Sequence, residues 1–316
     1  MKKWLFGFLW MLSMAAYADG PLIDLAAEIN PELAKEAEPS TPEAEKQDEA
    51  KDAKPPPTQE VSAPPVETPP AKWGYLPEVA PHLWAKLDSR YSLCDEGKSQ
   101  SPIDLRENEA VLTRGMPGLD VAYREVPLRL ILSDHGLRGE YPLGSYIRLG
   151  EQRYEFTHYT LHTPSEHHLD GFAYPMEIQL HHRDGDGHQV VLSVIVQEGK
   201  ANPHLTTLLQ NIPQQRDKLQ VFEQVNFNPV RFLPQNKRFY RYIGSMTTPP
   251  CREGVIWLVF QQPIDASVSQ LVQFQQLMGE NVRPLQPLNG RLPLKSWLDA
   301  SGSAPPQNGV GYYFDY

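Results

Sequence analysis

Six short runs of large apolar residues, each bounded by turn residues, limit this chain to a β-rich fold. They are "LRLILS" at 128–133, "SYIRLG" at 145–150, "YEFTHYTLH" at 154–162, "MEIQLHH" at 176–182, "QVVLSVIVQEG" at 189–199 and "GVIWLVFQQPI" at 254–264. Their length and their Val, Ile, Tyr and Phe content suit strands, whereas a core helix needs a longer run with a 3.6-residue period. One segment has that period: "ASVSQLVQFQQLMGE" at 266–280 repeats Val268, Leu271, Val272 and Gln275 at helical spacing, with Ser267 or Ser269 near its start. The expected architecture is one α+β, mainly β domain over residues 73–297, with few short helices.

The residues on either side cannot build a core. Residues 39–72 hold almost no large apolar side chain and are rich in Pro, Glu, Lys and Ala, a composition that reads as a disordered linker, stiffened in places by proline. Before it, residues 19–38 could form a short helix with Leu22, Ile23, Leu25, Ala26 and Ile29 on one face. Residues 1–18 have the three parts of a secretory signal: Lys2 and Lys3, the apolar run Trp4 to Met14, and small residues around Ala16 and Ala18, with cleavage expected after Ala18. That run falls short of the roughly 20 apolar residues of a membrane span, so no transmembrane helix is expected in the mature chain. No cysteine follows the cleavage point to carry a lipid. Residues 298–316 form a tail that ends in four aromatics, Tyr312, Tyr313, Phe314 and Tyr316. Export to the periplasm or beyond favours pairing the two cysteines, Cys94 and Cys251. The formal charge of −10 gives no basic footprint, so no nucleic-acid partner is expected.

Chemistry concentrates in two of the strand-like runs. "FTHYTLHTPSEHH" at 156–168 and "MEIQLHH" at 176–182 hold six of the ten histidines together with Glu166 and Glu177. Side chains at i and i+2 leave one face of a strand, so two histidines at that spacing can reach one metal ion.

The ordered motifs "KWGY" (72–75), "QSPIDL" (100–105), "LHTPSEH" (161–167), "YPMEIQL" (174–180), "FYRYIGSMTTPPC" (239–251), "EGVIWLVF" (253–260) and "NVRPLQPLNGR" (281–291) resemble the α-class carbonic anhydrases, bacterial secreted type. The resemblance implies a central, mostly antiparallel ten-stranded sheet with a conical pocket. It also implies a disulfide at Cys94 and Cys251. In that family three histidines hold zinc, whose bound water is lowered to a pKa near 7 and attacks carbon dioxide.

Against that pattern this sequence keeps only His162. Thr160 and Gln179 stand where the other two zinc histidines belong, so the chain resembles a zinc-ligand-deficient, carbonic anhydrase-related member. Neutral oxygen donors beside one imidazole suit zinc poorly, and no cofactor is expected. Other family positions are matched: Thr247 as the hydroxide-orienting threonine, Glu166 as its proton acceptor, Glu177 behind the third ligand position, and His135 near the proton-shuttle position. Thr248, His181, Val191 and Val255 should line the pocket.

The expected function is a non-catalytic binding or scaffold module of the cell envelope, with a partner or ligand reached through the pocket, residues 19–38 or the aromatic tail. The alternatives are an active carbonic anhydrase, a carbonate dehydratase that hydrates carbon dioxide to bicarbonate with zinc, or an altered metalloenzyme with a relocated site around His162 and His181, with His135 or His158.

Overall fold

The computed structural model describes residues 69–297. The expected signal peptide, the segment at 19–38, the linker up to residue 68 and the aromatic tail lie outside the described residues. The last residues assigned to the linker are tied into the domain: Ala71 N–H donates to Asp88 Oδ2 at 3.0 Å and its carbonyl accepts from Tyr91 at 2.9 Å.

A single mixed sheet of thirteen strands dominates, with ten along its main path. Eight strands of that path, the first four of which supply cavity-lining residues, are β1 (Val126–Ser133), β2 (Gly136–Glu140), β3 (Gln152–His162), β4 (Met176–Arg183), β5 (Gln189–Glu198), β6 (Gln220–Phe227), β7 (Phe239–Ser245) and β8 (Glu253–Phe260). They lie in the order β6-β1-β2-β3-β4-β5-β8-β7. All neighbouring pairs in that path are antiparallel except β5 and β8, which run parallel.

The pleat sorts side chains by face. Ile178 and Leu180 on β4, Tyr159 and Leu161 on β3, and Leu192 and Val194 on β5 join the larger core cluster, with Phe232, Phe260 and Phe274. Residues 177, 179 and 181 point to the other face, beside a second cluster of Val191, Ile195, Tyr240, Tyr242, Val255 and Trp257. Each buried large apolar side chain contributes about 1.5–3 kcal/mol, so burial on both faces fixes the register of the middle strands. A bulge at Thr157, between Phe156 and His158, keeps β3 in phase. Phe156, Tyr159 and Leu161 therefore stay in the core, while His158, Thr160 and His162 turn to the pocket face.

Two helices cover the core face. Val268–Met278 starts with a capping box between Ser267 and Gln270, as the serine signal indicated. Its buried side is Gln270, Leu271 and Phe274, whereas Val268 and Val272 are 53% and 42% exposed, so the stripe expected from spacing is rotated. The other, Pro203–Gln210, is opened by Asn202, whose side chain accepts from the His204 and Leu205 amides. Its Asn-Pro start is a legible cap that the apolar pattern of this short helix did not bring out. Cys94 and Cys251 are bonded across 157 residues, in agreement with the expected pairing. The bridge ties the amino-terminal part of the domain to the loop that carries Thr247 and Thr248.

Candidate functional site

The pocket-face rows of β2, β3 and β4 converge on a cavity of about 430 Å³. Register builds its floor: Thr160 lies opposite Gln179, His158 opposite His181, and His162 opposite Glu177. On the next strand Arg138 pairs with Thr160 and Glu140 with His158. The Met246–Thr248 loop closes one side and Trp73, Tyr75 and His135 another. Thr248 O accepts from the disulfide-anchored Cys251 amide at 2.9 Å, which steadies that loop.

Hydrogen bonds assign the protons at the floor. His162 Nδ1 meets the Asn281 carbonyl at 2.9 Å and, since a carbonyl only accepts, this nitrogen carries the ring proton. His162 Nε2 therefore presents a lone pair, which takes the Thr160 hydroxyl proton at 3.1 Å. Thr160 has no second proton, so His181 Nε2, 3.2 Å away, must donate to it. One chain of donors and acceptors thus fills the centre.

Behind this chain Gln179 faces two buried carboxylates. Its Nε2 donates to Glu166 Oε2 at 2.7 Å and to Glu177 Oε1 at 3.0 Å, which fixes the amide with its nitrogen inward. Glu177 also accepts from the Glu166 and His167 amides, from His167 Nδ1 and from Ser193. Burial alone would raise the Glu177 pKa, but the charge and hydrogen bonds of His167 and the charge of His162 hold it at about 2. Burial, with Arg138 and His182 nearby, lowers His158 to about 3. Burial first, then His158 and His162, lowers His181 well below its usual value. Desolvation lowers buried His182 to about 3, against its bond to the Val190 carbonyl, which acts to raise it; its Nε2 lies 2.6 Å from the Tyr123 hydroxyl.

These residues do not fit a zinc ion. The one retained family ligand, His162, has its Nε2 lone pair engaged by Thr160, and the inward amide of Gln179 turns donors toward carboxylates. The Gln179 oxygen, which makes no hydrogen bond to a described residue, is a neutral donor that suits zinc poorly beside one imidazole. The Nε2 atoms of His162 and His181 both face the Thr160 hydroxyl, and adding His158 to His181 as a further ligand meets another obstacle. Their rings stack at 4.3 Å and 6°, so lone pairs lying in those planes run side by side and cannot converge. Among the described residues, the group of three side chains spaced to share an ion is Asp184, Asp186 and His188, in the β4–β5 turn outside the cavity.

Several expected roles change in the structure. Glu166 does not meet Thr247; its oxygens accept from Gln179 and from the Arg283 amide at 3.0 Å, because an amide at 179 reaches the carboxylate that an imidazole would leave free. Val191 and Val255 do not line the cavity: they are buried in the second cluster, and His181, the cross-strand neighbour of Val191, takes the lining position. Thr247, Thr248, Thr160, Gln179, His162 and His181 do line it. His135 sits at the exposed rim, stacked on Trp73 at 3.9 Å, with its Nε2 3.0 Å from the Trp73 carbonyl. Arg138 and Glu140 escaped the sequence reading, since "GLRGE" carries no motif; their alternation on a short strand was the available signal.

Comparison with known proteins agrees with this architecture. The family model described as eukaryotic-type carbonic anhydrase matches residues 79–296. A carbonic anhydrase of Nostoc sp. is 37% identical over 226 residues, covering 71% of this chain and 86% of the relative. The α-carbonic anhydrase of Thermovibrio ammonificans, solved with the inhibitor sulfanilamide, superposes with a TM-score of 0.68 at 35% identity, over 71% of this chain and 99% of that one. A dioscorin solved with ascorbate superposes with a TM-score of 0.66 at 28% identity, over 73% and 100%. Fold, motif order and these likenesses converge: the chain belongs to the eukaryotic-type, or α, carbonic anhydrase family.

Proposed function

We propose that this protein is a metal-free member of its family, exported to the cell envelope, whose cavity serves as a non-catalytic binding or scaffold module. The observation that carries the reading is the closed hydrogen-bond chain from Asn281 through His162 and Thr160 to His181, with Gln179 held on Glu166 and Glu177. Hydration of carbon dioxide at neutral pH needs a strong nucleophile, and a Thr247 hydroxyl without an adjacent base supplies none. The disulfide supports export, and no helix among the described residues is long and apolar enough to cross a membrane. A dioscorin of this fold was solved with ascorbate, which supports small-molecule binding by the present chain.

A second reading, active carbonic anhydrase, is favoured by the likeness to the Nostoc enzyme. The two readings separate in a stopped-flow hydration assay with added zinc. Rates equal to the buffer blank are expected, and a rate that rises with protein and is abolished by a chelator would favour the enzyme.

A further inference from the structure

The floor of the cavity offers acceptors that no described residue satisfies. Thr157, in the bulge of β3, gives its only proton to the His181 carbonyl at 3.0 Å. Its oxygen must then accept from His158 Nδ1 at 2.8 Å, which leaves His158 Nε2 with a bare lone pair. His181, whose Nε2 donates to Thr160, keeps a bare lone pair on Nδ1 in the same way. His181 is only 7% exposed and lines the cavity, so this is a buried polar side chain with one atom unpartnered among the described residues. Next to the two rings stands Arg138. Its Nε is held by Glu140 at 2.7 Å, and its terminal nitrogens make no hydrogen bond to another described residue.

This set selects a ligand. An apolar molecule would desolvate both lone pairs and return nothing. An inorganic anion would meet lone pair with lone pair, because burial keeps both imidazoles neutral. A metal would need lone pairs that converge, and the stacked rings forbid that. What fits is a ring whose hydroxyls donate to the imidazoles and which carries an acidic group for a guanidinium. The volume of about 430 Å³ is ample for one sugar ring.

We propose that the cavity binds a polyhydroxylated acid of monosaccharide size, its hydroxyls donating to His158 Nε2 and His181 Nδ1 and its carboxylate held by the terminal nitrogens of Arg138. The inference rests on the metal-free reading, since an ion at the floor would claim the same face.

The test is a titration of the full mature chain with D-glucuronate, D-glucose and acetate, read by calorimetry and by long-range proton–nitrogen spectra of the histidine rings. The free protein should show the Nδ1–H form of His158 and the Nε2–H form of His181. Glucuronate should bind saturably and shift both ring signals, glucose should bind roughly ten- to a hundredfold more weakly, and acetate should not bind. Arg138→Gln, at an exposed side chain, should bring glucuronate down to the glucose level and leave glucose unchanged; His158→Phe should weaken both sugars. Acetate binding as tightly as glucuronate, or an Arg138→Gln variant with unaltered glucuronate affinity, would overturn the proposal. Metal analysis of the same sample separates the two levels. Metal-free protein that ignores both sugars overturns the ligand class alone, whereas a stoichiometric metal lost on mutation of His162 removes the reading beneath it.

Discussion

Placing histidines at the two positions that the family resemblance gives to zinc ligands tests how far the cavity can support a metal centre. The perturbation is T160H with Q179H. The outer contacts that would orient these ligands are present: His162 Nδ1 already donates to the Asn281 carbonyl at 2.9 Å, and Glu177 Oε1, which now accepts from Gln179 at 3.0 Å, can accept from an imidazole at the same position. Each such contact is worth roughly 10- to 100-fold in metal affinity. The obstacle is His181, whose Nε2 lies 3.2 Å from the Thr160 hydroxyl and whose ring is stacked on His158. An imidazole at position 160 has to displace that ring, and overpacking of this kind costs about 1–3 kcal/mol. At about 1.4 kcal/mol per tenfold, the triple variant with H181V should bind zinc roughly 5- to 150-fold more tightly than the double. The assay is competition against a chromophoric chelator at neutral pH. Failure of the triple variant to bind zinc, with the fold intact by circular dichroism, would refute the claim that the surrounding shell is preserved.

Other consequences follow from the same contacts. Gln179→Leu removes one hydrogen bond from each of two buried carboxylates and should destabilise the domain by about 2–4 kcal/mol in denaturant titrations; a change within error would mean that Gln179 is not their partner. His158 and His182 are held neutral with folded pKa values of about 3 against 6.5, so the unfolded chain binds more protons between those limits. Stability should therefore fall as pH drops below about 6.5, by about 1 kcal/mol per pH unit for each histidine. Glu177, at about 2 against 4.5, adds to the loss only below about pH 4.5, and unfolding measured from pH 7 to pH 4 checks the slope. Replacing both cysteines by serine opens a link across 157 residues and should cost about 5 kcal/mol at most, measured as a lower denaturation midpoint.

The strands were legible because burial on both faces left continuous apolar runs, as in "QVVLSVIVQEG", and the motif order located the sheet and the disulfide. The flanking "TPSEH" and "YPME" also place Thr160 and Gln179 at the positions that the resemblance gives to two zinc ligands. The partners these residues acquired were hidden. Nothing in the letters says that Gln179 turns its nitrogen onto Glu166, or that Thr157 bulges and sets the proton on His158. Such facts depend on side-chain direction and on which neighbour holds the only available proton. The same limit placed Val191 in the pocket, because the larger ring at 181 is seen to take that surface only in three dimensions.

The most direct measurement is the metal content of tag-free protein, purified without chelator, dialysed against zinc and analysed by elemental mass spectrometry. A cavity closed by the Asn281–His162–Thr160–His181 chain should retain no zinc or other transition metal above the buffer level. One zinc per chain, lost on mutation of His162, would contradict it and return the protein to the catalytic members of its family.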